Sequence, residues 1–345
     1  MNLEKLVRKN IWLLKPYSSA RDEFKGDAEV FLDANESPFN NGLNRYPDPY
    51  QWKLKALLSK EKNVPVKNIL LGNGSDEVID LLFRTFCNPG IDNVIICPPT
   101  YGMYEVSANI NDVEVKKVNL KNDFQLDLNT IIDAIDDVKT KLIFICSPNN
   151  PTANNIHRKD VITLIEKFNG IVVVDEAYID FSSQKSFLEY LDKYPNLLVM
   201  QTLSKAWGLA AIRLGILYAQ EDIIKIMNKV KPPYNVNELT QKTAIKALNN
   251  KYQKEQWVNE VLAQRKKIEK QLAEIKCIEK LYPSDANFVL AKVTDAKRIY
   301  NYLVEHKIIV RDRSNVALCQ NCLRISVGTK HENEKLIAAL KSYSV

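Results

Sequence analysis

Histidine is scarce in this chain: His157, His306 and His331 are the only three among 345 residues. A structural zinc site wants about four ligands at recognisable spacing. The single CxxC, Cys319-Gln320-Asn321-Cys322, has no second pair beside it. No metal is expected, and Gln320-Asn321 reads as the tip of a hairpin between strands at 315–318 and 323–327. Only six cysteines occur, Cys87, Cys97, Cys146, Cys277, Cys319 and Cys322. Three lie in or at the ends of apolar runs, where a reduced, buried thiol is the expected state. No apolar run approaches the ~18 residues of a membrane span. The stretch 11–14 is too short for a signal-peptide core, so a cytoplasmic protein without a membrane partner is expected. A net charge of +6 comes with no basic tail and no like-charge block, so no nucleic-acid partner is expected. Internal repeats and low-complexity linkers are also lacking. What remains is a chain 46% hydrophobic and 26% charged, ordinary for a globular protein and long enough for about two domains.

From about residue 68 to 220, apolar strand-like runs alternate with amphipathic helical patterns. Candidate strands are 69–71, 94–97, 113–118, 142–146, 171–174, 198–202 and 214–219. Helical stretches such as 76–86 and 158–168 lie between them. Alternation with β-branched strands predicts an α/β fold with a mostly parallel sheet covered on both faces. Ligands of such sheets sit at the carboxyl ends of strands. The pattern changes at Pro232-Pro233, where a helix cannot continue. A long helix over about 239–275 follows, then strands at 287–292 and 308–311, the hairpin strand and a last helix at 332–342. The expected division is an arm over 1–30, a large domain over 31–238 and a smaller α/β C-terminal domain over 239–345.

Several motifs fall at strand ends. Gly72-Asn73-Gly74-Ser75-Asp76-Glu77 follows a strand and opens a helix. Its free amides, with Ser75 as N-cap, suit an anion, although a plain strand-to-helix turn would look the same. In Pro98-Pro99-Thr100-Tyr101 the tyrosine could stack on a flat ring or simply lie on the surface. Asn150, in Ser147-Pro148-Asn149-Asn150-Pro151-Thr152, is held extended by the following proline, so its amide can meet a ligand oxygen. Residues 171–174 carry Asp175 to the end of a buried strand. A carboxylate there is costly without a cation; it either caps a helix or pairs with a charged group such as a protonated pyridine. Tyr178 follows on the same loop. In Thr202-Leu203-Ser204-Lys205-Ala206-Trp207-Gly208-Leu209-Ala210-Ala211-Ile212-Arg213, a lysine among hydroxyls with an arginine eight residues on suits a Schiff-base lysine beside a phosphate site. Arg324 lies inside an apolar strand and wants an anion, either a ligand or an internal acid. Arg311 is a similar case.

Taken in order, these segments resemble the aspartate-aminotransferase superfamily, the fold-type I pyridoxal-phosphate enzymes. Within it the chain resembles the histidinol-phosphate aminotransferase family. Further matching segments are Lys15-Pro16-Tyr17, Leu32-Asp33-Ala34-Asn35-Glu36, Asn44-Arg45-Tyr46-Pro47-Asp48 and Pro98-Pro99-Thr100-Tyr101-Gly102-Met103-Tyr104. The resemblance implies a seven-stranded, mostly parallel sheet in the large domain and transamination between glutamate and a histidinol-phosphate-type amine. Lys205 would bind pyridoxal 5′-phosphate covalently and carry the proton, with Asp175 on the ring nitrogen. Asn150 and Tyr178 would hold the phenolic oxygen, and Tyr101 would stack on the ring. The cofactor phosphate would take Gly74, Ser75, Asp76, Thr202, Ser204 and Arg213. Arg324, helped by Arg311, Tyr17 and Asn35, would take the substrate's acid group. Tyr46 would reach the phosphate of a neighbouring subunit, which implies a homodimer. Two positions depart from the family pattern: Ala153 and Ala211 stand where glycine is usual. Rivals sharing the cofactor residues are an aromatic aminotransferase and an O-phosphothreonine decarboxylase. A non-catalytic pyridoxal-phosphate regulator would carry an added DNA-binding domain, and none is visible.

Overall fold

The computed structural model describes residues 2–17, 26 and 29–343. Part of the expected arm lies outside them. Seven strands form one sheet: β1 (Ile69–Asn73), β2 (Asn93–Ile96), β3 (Glu114–Lys117), β4 (Thr140–Cys146), β5 (Ile171–Asp175), β6 (Leu197–Thr202) and β7 (Leu214–Tyr218). Their order is β1-β7-β6-β5-β4-β2-β3. The β3-β2-β4-β5-β6 pairings are parallel, and β7 alone runs antiparallel to its neighbours. The mostly parallel sheet expected from the apolar runs is therefore the one that forms.

Strand residues alternate between faces, and here both faces are buried. Val172 and Val174 of β5 join one core layer with Ile143, Ile145 and Val199. Ile171 and Val173 join the other with Leu142, Phe144 and Met200. Each such side chain contributes about 1.5–3 kcal/mol on burial, which is why these strands read as near-continuous apolar runs rather than alternating ones. The helix Ser75–Phe86 covers the second layer with Val78, Ile79, Leu82 and Phe83.

A second, antiparallel sheet has the order β10-β11-β9-β8, from β8 (Ile278–Leu281), β9 (Phe288–Val293), β10 (Arg311–Asp312) and β11 (Cys322–Ser326). Helices Lys251–Leu272, Ala296–Glu305 and Lys330–Ser342 share its apolar core. Three expectations need correction. The long helix breaks into Glu238–Leu248 and Lys251–Leu272, because Asn249 and Asn250 intervene and asparagine competes with helical bonding. Residues 308–310 are not strand. Residues 315–318 are turns rather than a hairpin strand: Ser314 N and Oγ both donate to Asp312 Oδ1, at 2.8 and 2.6 Å, and Leu318 and Asn321 adopt φ of 60° and 54°. The strand opposite β11 is instead β10. All six cysteines are buried and unpaired.

The two sheets meet through directed bonds. Asn155 N donates to Asp285 Oδ2 at 2.9 Å, Asp285 N to Ala153 O at 2.8 Å and Arg265 Nη1 to Phe181 O at 3.4 Å.

Candidate active site

Six strands of the large sheet point the same way, so their carboxyl ends share one edge. β7, running back, brings its amino end to that edge. There a cavity of about 430 Å³ opens, and Arg311 and Arg324 of the second sheet close its other side. Twelve residues singled out from the sequence line it. They are Ser75, Asp76, Tyr101, Asn150, Asp175, Tyr178, Thr202, Ser204, Lys205, Arg213, Arg311 and Arg324.

The anion end is built where β1 turns into its helix. Gly74, not Ser75, is the N-cap; its φ is +81° and no side chain caps the helix. Ser75 is the first helical residue, so its expected capping role is corrected, while the free amides of the first turn remain. A Cβ on Gly74 would lie 2.6 Å from Arg213 Nη2, and one on Gly215 would lie 2.5 Å from Gly74 C and Ser75 N. Only glycines let the guanidinium and the two backbones approach this closely. Arg213 also reaches Asp76 Oδ2 at 3.4 Å. Thr202 Oγ1 donates to Leu214 O at 3.0 Å and accepts from Ser204 N at 3.0 Å, which fixes the Thr202 hydroxyl at the mouth.

Asp175 ends β5 and is buried, without a salt-bridge partner among the described residues. Its Oδ1 accepts from Ala177 N at 3.0 Å and its Oδ2 from Tyr104 Oη at 2.7 Å. Desolvation pushes its pKa up, against the Tyr104 and Ala177 bonds and the Lys205 charge, which pull it down. A cationic ring nitrogen would complete this carboxylate. Strand alternation explains Tyr104: Asp175 faces the same side as Ile171 and Val173, where Tyr104 stacks on Phe144 at 4.8 Å. The sequence offered a signal for Tyr104, three residues after Tyr101 on a helix, but assigned it no role. Tyr101 Oη donates to Asp76 Oδ1 at 3.0 Å.

Lys205 Nζ lies 5.4 Å from the Tyr178 ring centre. Desolvation in the cavity lowers its pKa, the Arg324 charge adds to this, and Asp175 opposes it. The amine is thereby brought nearer to its neutral, nucleophilic form. Asn150 joins two predicted partners: its Nδ2 donates to Tyr178 Oη at 3.4 Å and its Oδ1 accepts from Arg324 Nη1 at 2.6 Å. Arg313, absent from the expected set, lines the same cavity.

Three expected residues lie elsewhere in the single chain. Tyr46 stacks on Tyr234 at 4.5 Å beside Arg45 and Leu43, outside the cavity. Tyr17 lines a separate small pocket with Pro49 and Lys229, and Asn35 is exposed. Of the two unusual alanines, Ala153 has φ of 69° and is buried, whereas Ala211 sits in a 3₁₀ turn without a positive φ.

A buried carboxylate without a salt-bridge partner among the described residues, an amine with lowered pKa and a glycine-shaped anion cradle fit pyridoxal phosphate in one orientation. The model of the aminotransferase class I and II family matches residues 23–340. A histidinol-phosphate aminotransferase of Bacteroides thetaiotaomicron is 57% identical over 342 residues, covering 99% of each chain. Among solved structures, the histidinol-phosphate aminotransferase of Clostridium acetobutylicum aligns with a TM-score of 0.80 at 26% identity, over 87% of this chain and 90% of its own. That of Sinorhizobium meliloti, in complex with pyridoxal-5′-phosphate, aligns at 0.79 and 23% identity over 86% and 82%, a likeness of fold. The cavity and these matches agree, and the chain belongs to the class I and II aminotransferases, enzymes that work with pyridoxal phosphate.

Proposed function

We propose that the protein transfers an amino group between L-glutamate and imidazole acetol phosphate, giving L-histidinol phosphate and 2-oxoglutarate, a step of histidine biosynthesis. The observation that carries the chemistry is the convergence of Lys205, Asp175 and Arg324 on one cavity. The choice of substrate is supported by the full-length likeness to histidinol-phosphate aminotransferases.

Pyridoxal phosphate, when bound, supplies an aldehyde for amines and a ring that takes up the electron pair released at the substrate Cα. Asp175 holds a proton on the ring nitrogen. Asn150 and Tyr178 orient the phenolic oxygen. Tyr101 packs against the ring. Lys205 Nζ removes the Cα proton and returns it at C4′ as general base and acid. Gly74, Ser75, Asp76, Thr202, Ser204 and Arg213 hold the phosphate. Arg324, with Arg311, receives the carboxylate of one substrate and the phosphate of the other, because a planar fork accepts either.

We read the active unit as a homodimer. Phe31, Leu32, Phe39, Leu43 and Tyr46 are exposed near the N-terminus, and such a patch suits a subunit contact. Tyr46, with Tyr17 and Asn35, would then complete the partner's site rather than its own. We read the chain as an arm over 1–30, a large domain over 31–238 and a small domain over 239–345, a reading supported by the presence of two separate sheets. Six unpaired thiols suit a reducing cytoplasm.

The test is product analysis on the purified holoenzyme. Histidinol phosphate with 2-oxoglutarate should yield glutamate and no carbon dioxide. Carbon dioxide release would mark a decarboxylase, and preferred phenylpyruvate turnover an aromatic aminotransferase.

A further inference from the structure

The antiparallel pairing of β10 with β11 sets Arg311 opposite Arg324. Arg313 N donates to Cys322 O at 2.9 Å, which extends the ladder by one residue. Residues two apart on a strand share a face, so Arg311, Arg313 and Arg324 stand on one face of this ribbon. That face is the wall of the cavity holding Lys205. Like charges opposed across a ladder are destabilising, yet among the described residues no carboxylate forms a salt bridge with any of the three. Arg324 is bound to the Asn150 amide oxygen. Arg313 Nε is buried with no hydrogen-bond partner. Partial burial, then the Arg324 and Arg311 charges, disfavour the charged form of Arg313.

The acids of the cavity are already engaged. Asp76 meets Arg213 and Tyr101. Asp175 takes Tyr104 and Ala177 N, and would take the cofactor's ring nitrogen. Three guanidiniums are left for the substrate's acid group. A carboxylate carries one charge on two oxygens, and one fork saturates it. A phosphomonoester carries nearly two charges on three terminal oxygens.

We propose that Arg313 is a specificity-determining residue that selects a phosphomonoester dianion over a carboxylate at the substrate end of this cavity. This rests on the reading of the substrate as an amine phosphate. Arg324 serves both substrates, while Arg313 adds the contact only a dianion can use.

The test compares half-reactions of native and Arg313→Gln holoenzyme with L-histidinol phosphate and with L-glutamate, between about pH 5.5 and 8. A phosphomonoester loses its second proton near pH 6. In the native enzyme, kcat/KM for histidinol phosphate should fall as pH drops through that value. In Arg313→Gln it should be about thirtyfold lower at pH 7.5, mainly through KM, and should depend less on that ionisation. Glutamate should change less than about threefold. Arg313→Lys, which keeps a charge without the fork, should recover part of the loss. Equal losses for both substrates, or no loss for histidinol phosphate, would overturn the proposal. Competition by inorganic phosphate on the holoenzyme separates this idea from the reading of the substrate. If native protein does not turn over histidinol phosphate but does convert another amine, a weaker phosphate inhibition in Arg313→Gln still supports Arg313 as the dianion contact. Unchanged inhibition overturns it.

Discussion

Tyr104 shows how much one hydroxyl can govern. It is fully buried, stacks on Phe144 and places its O–H 2.7 Å from Asp175 Oδ2. Tyr104→Phe keeps the stack and removes the donor, so the Asp175 carboxylate loses a bond that holds its pKa down. A bond to a charged group contributes about 1.5–3 kcal/mol. Pyridoxal phosphate should therefore bind the apoprotein about tenfold more weakly, read by fluorescence titration; unchanged affinity would show that Asp175 does not depend on Tyr104. Lys205 offers a pH test. Removing a neighbouring cation favours an ammonium, and Arg324 is among the charges lowering the Lys205 pKa. In Arg324→Gln the covalent uptake of pyridoxal phosphate, followed by absorbance, should begin at higher pH than in native protein. A midpoint that stays or moves down contradicts this electrostatic account. The sequence made Lys205, Asp175 and Arg324 legible because a charged residue at the end of, or inside, an apolar strand stands out. Arg313 gave no such signal: it follows Asp312 in a polar stretch, and only the register with Cys322 brings it to the wall. Tyr46, Tyr17 and Asn35 rest on family resemblance, and one chain does not bring them to its own cavity.

At the scale of elements, β7 and the turn after β1 form a close backbone contact. Gly215→Ala would drive a Cβ to 2.5 Å from Gly74 C and Ser75 N, atoms of the main chain that cannot rotate away. Overpacking of this kind costs about 1–3 kcal/mol, and here it also displaces the anion cradle. Urea melts should show the loss of stability and titration a weaker cofactor affinity; a variant as stable as native with normal affinity would mean the turn relaxes freely. The helix Trp52–Lys62 carries a different cost. Lys55 is 3% exposed, and burial, with Lys231 beside it, lowers its pKa from 10.5 to about 8 against the pull of Asp48. Between those values the unfolded chain binds more protons, so this group makes stability rise with pH from about 8 to 10.5. Below pH 8 its full cost, about 3 kcal/mol, is present. Lys55→Met should raise stability at pH 7 by about 1–3 kcal/mol and flatten that rise; a variant less stable than native at pH 7 would contradict it. The elements that the sequence hid are those without an apolar run. β8 is half-exposed along its length, with the pattern intermediate, exposed, exposed, intermediate, and the 313–321 loop turns through side-chain bonds that no periodicity records.

For the whole molecule, the architecture follows from where six parallel strands and one reversed strand end. The groups proposed to handle the cofactor, Tyr46 apart, arrive at one edge of the sheet, and the second sheet supplies the arginines that face them. That plan was readable because buried parallel strands are near-continuous runs of Ile, Val and Leu. The proposed partner subunit rests on resemblance alone, and sedimentation of the holoenzyme tests it: twice the monomer mass is expected. The central claim is that this cavity exchanges an amino group with both a phosphate amine and an amino acid. The most direct measurement is a single-turnover titration of the pyridoxal-phosphate-loaded protein, watching the visible absorbance of the cofactor. L-histidinol phosphate and L-glutamate should each convert it to the amine form, 2-oxoglutarate should restore it, and Arg324→Ala should slow both conversions. A cofactor band that histidinol phosphate leaves unchanged, or an Arg324→Ala protein impaired with glutamate alone, would contradict the account.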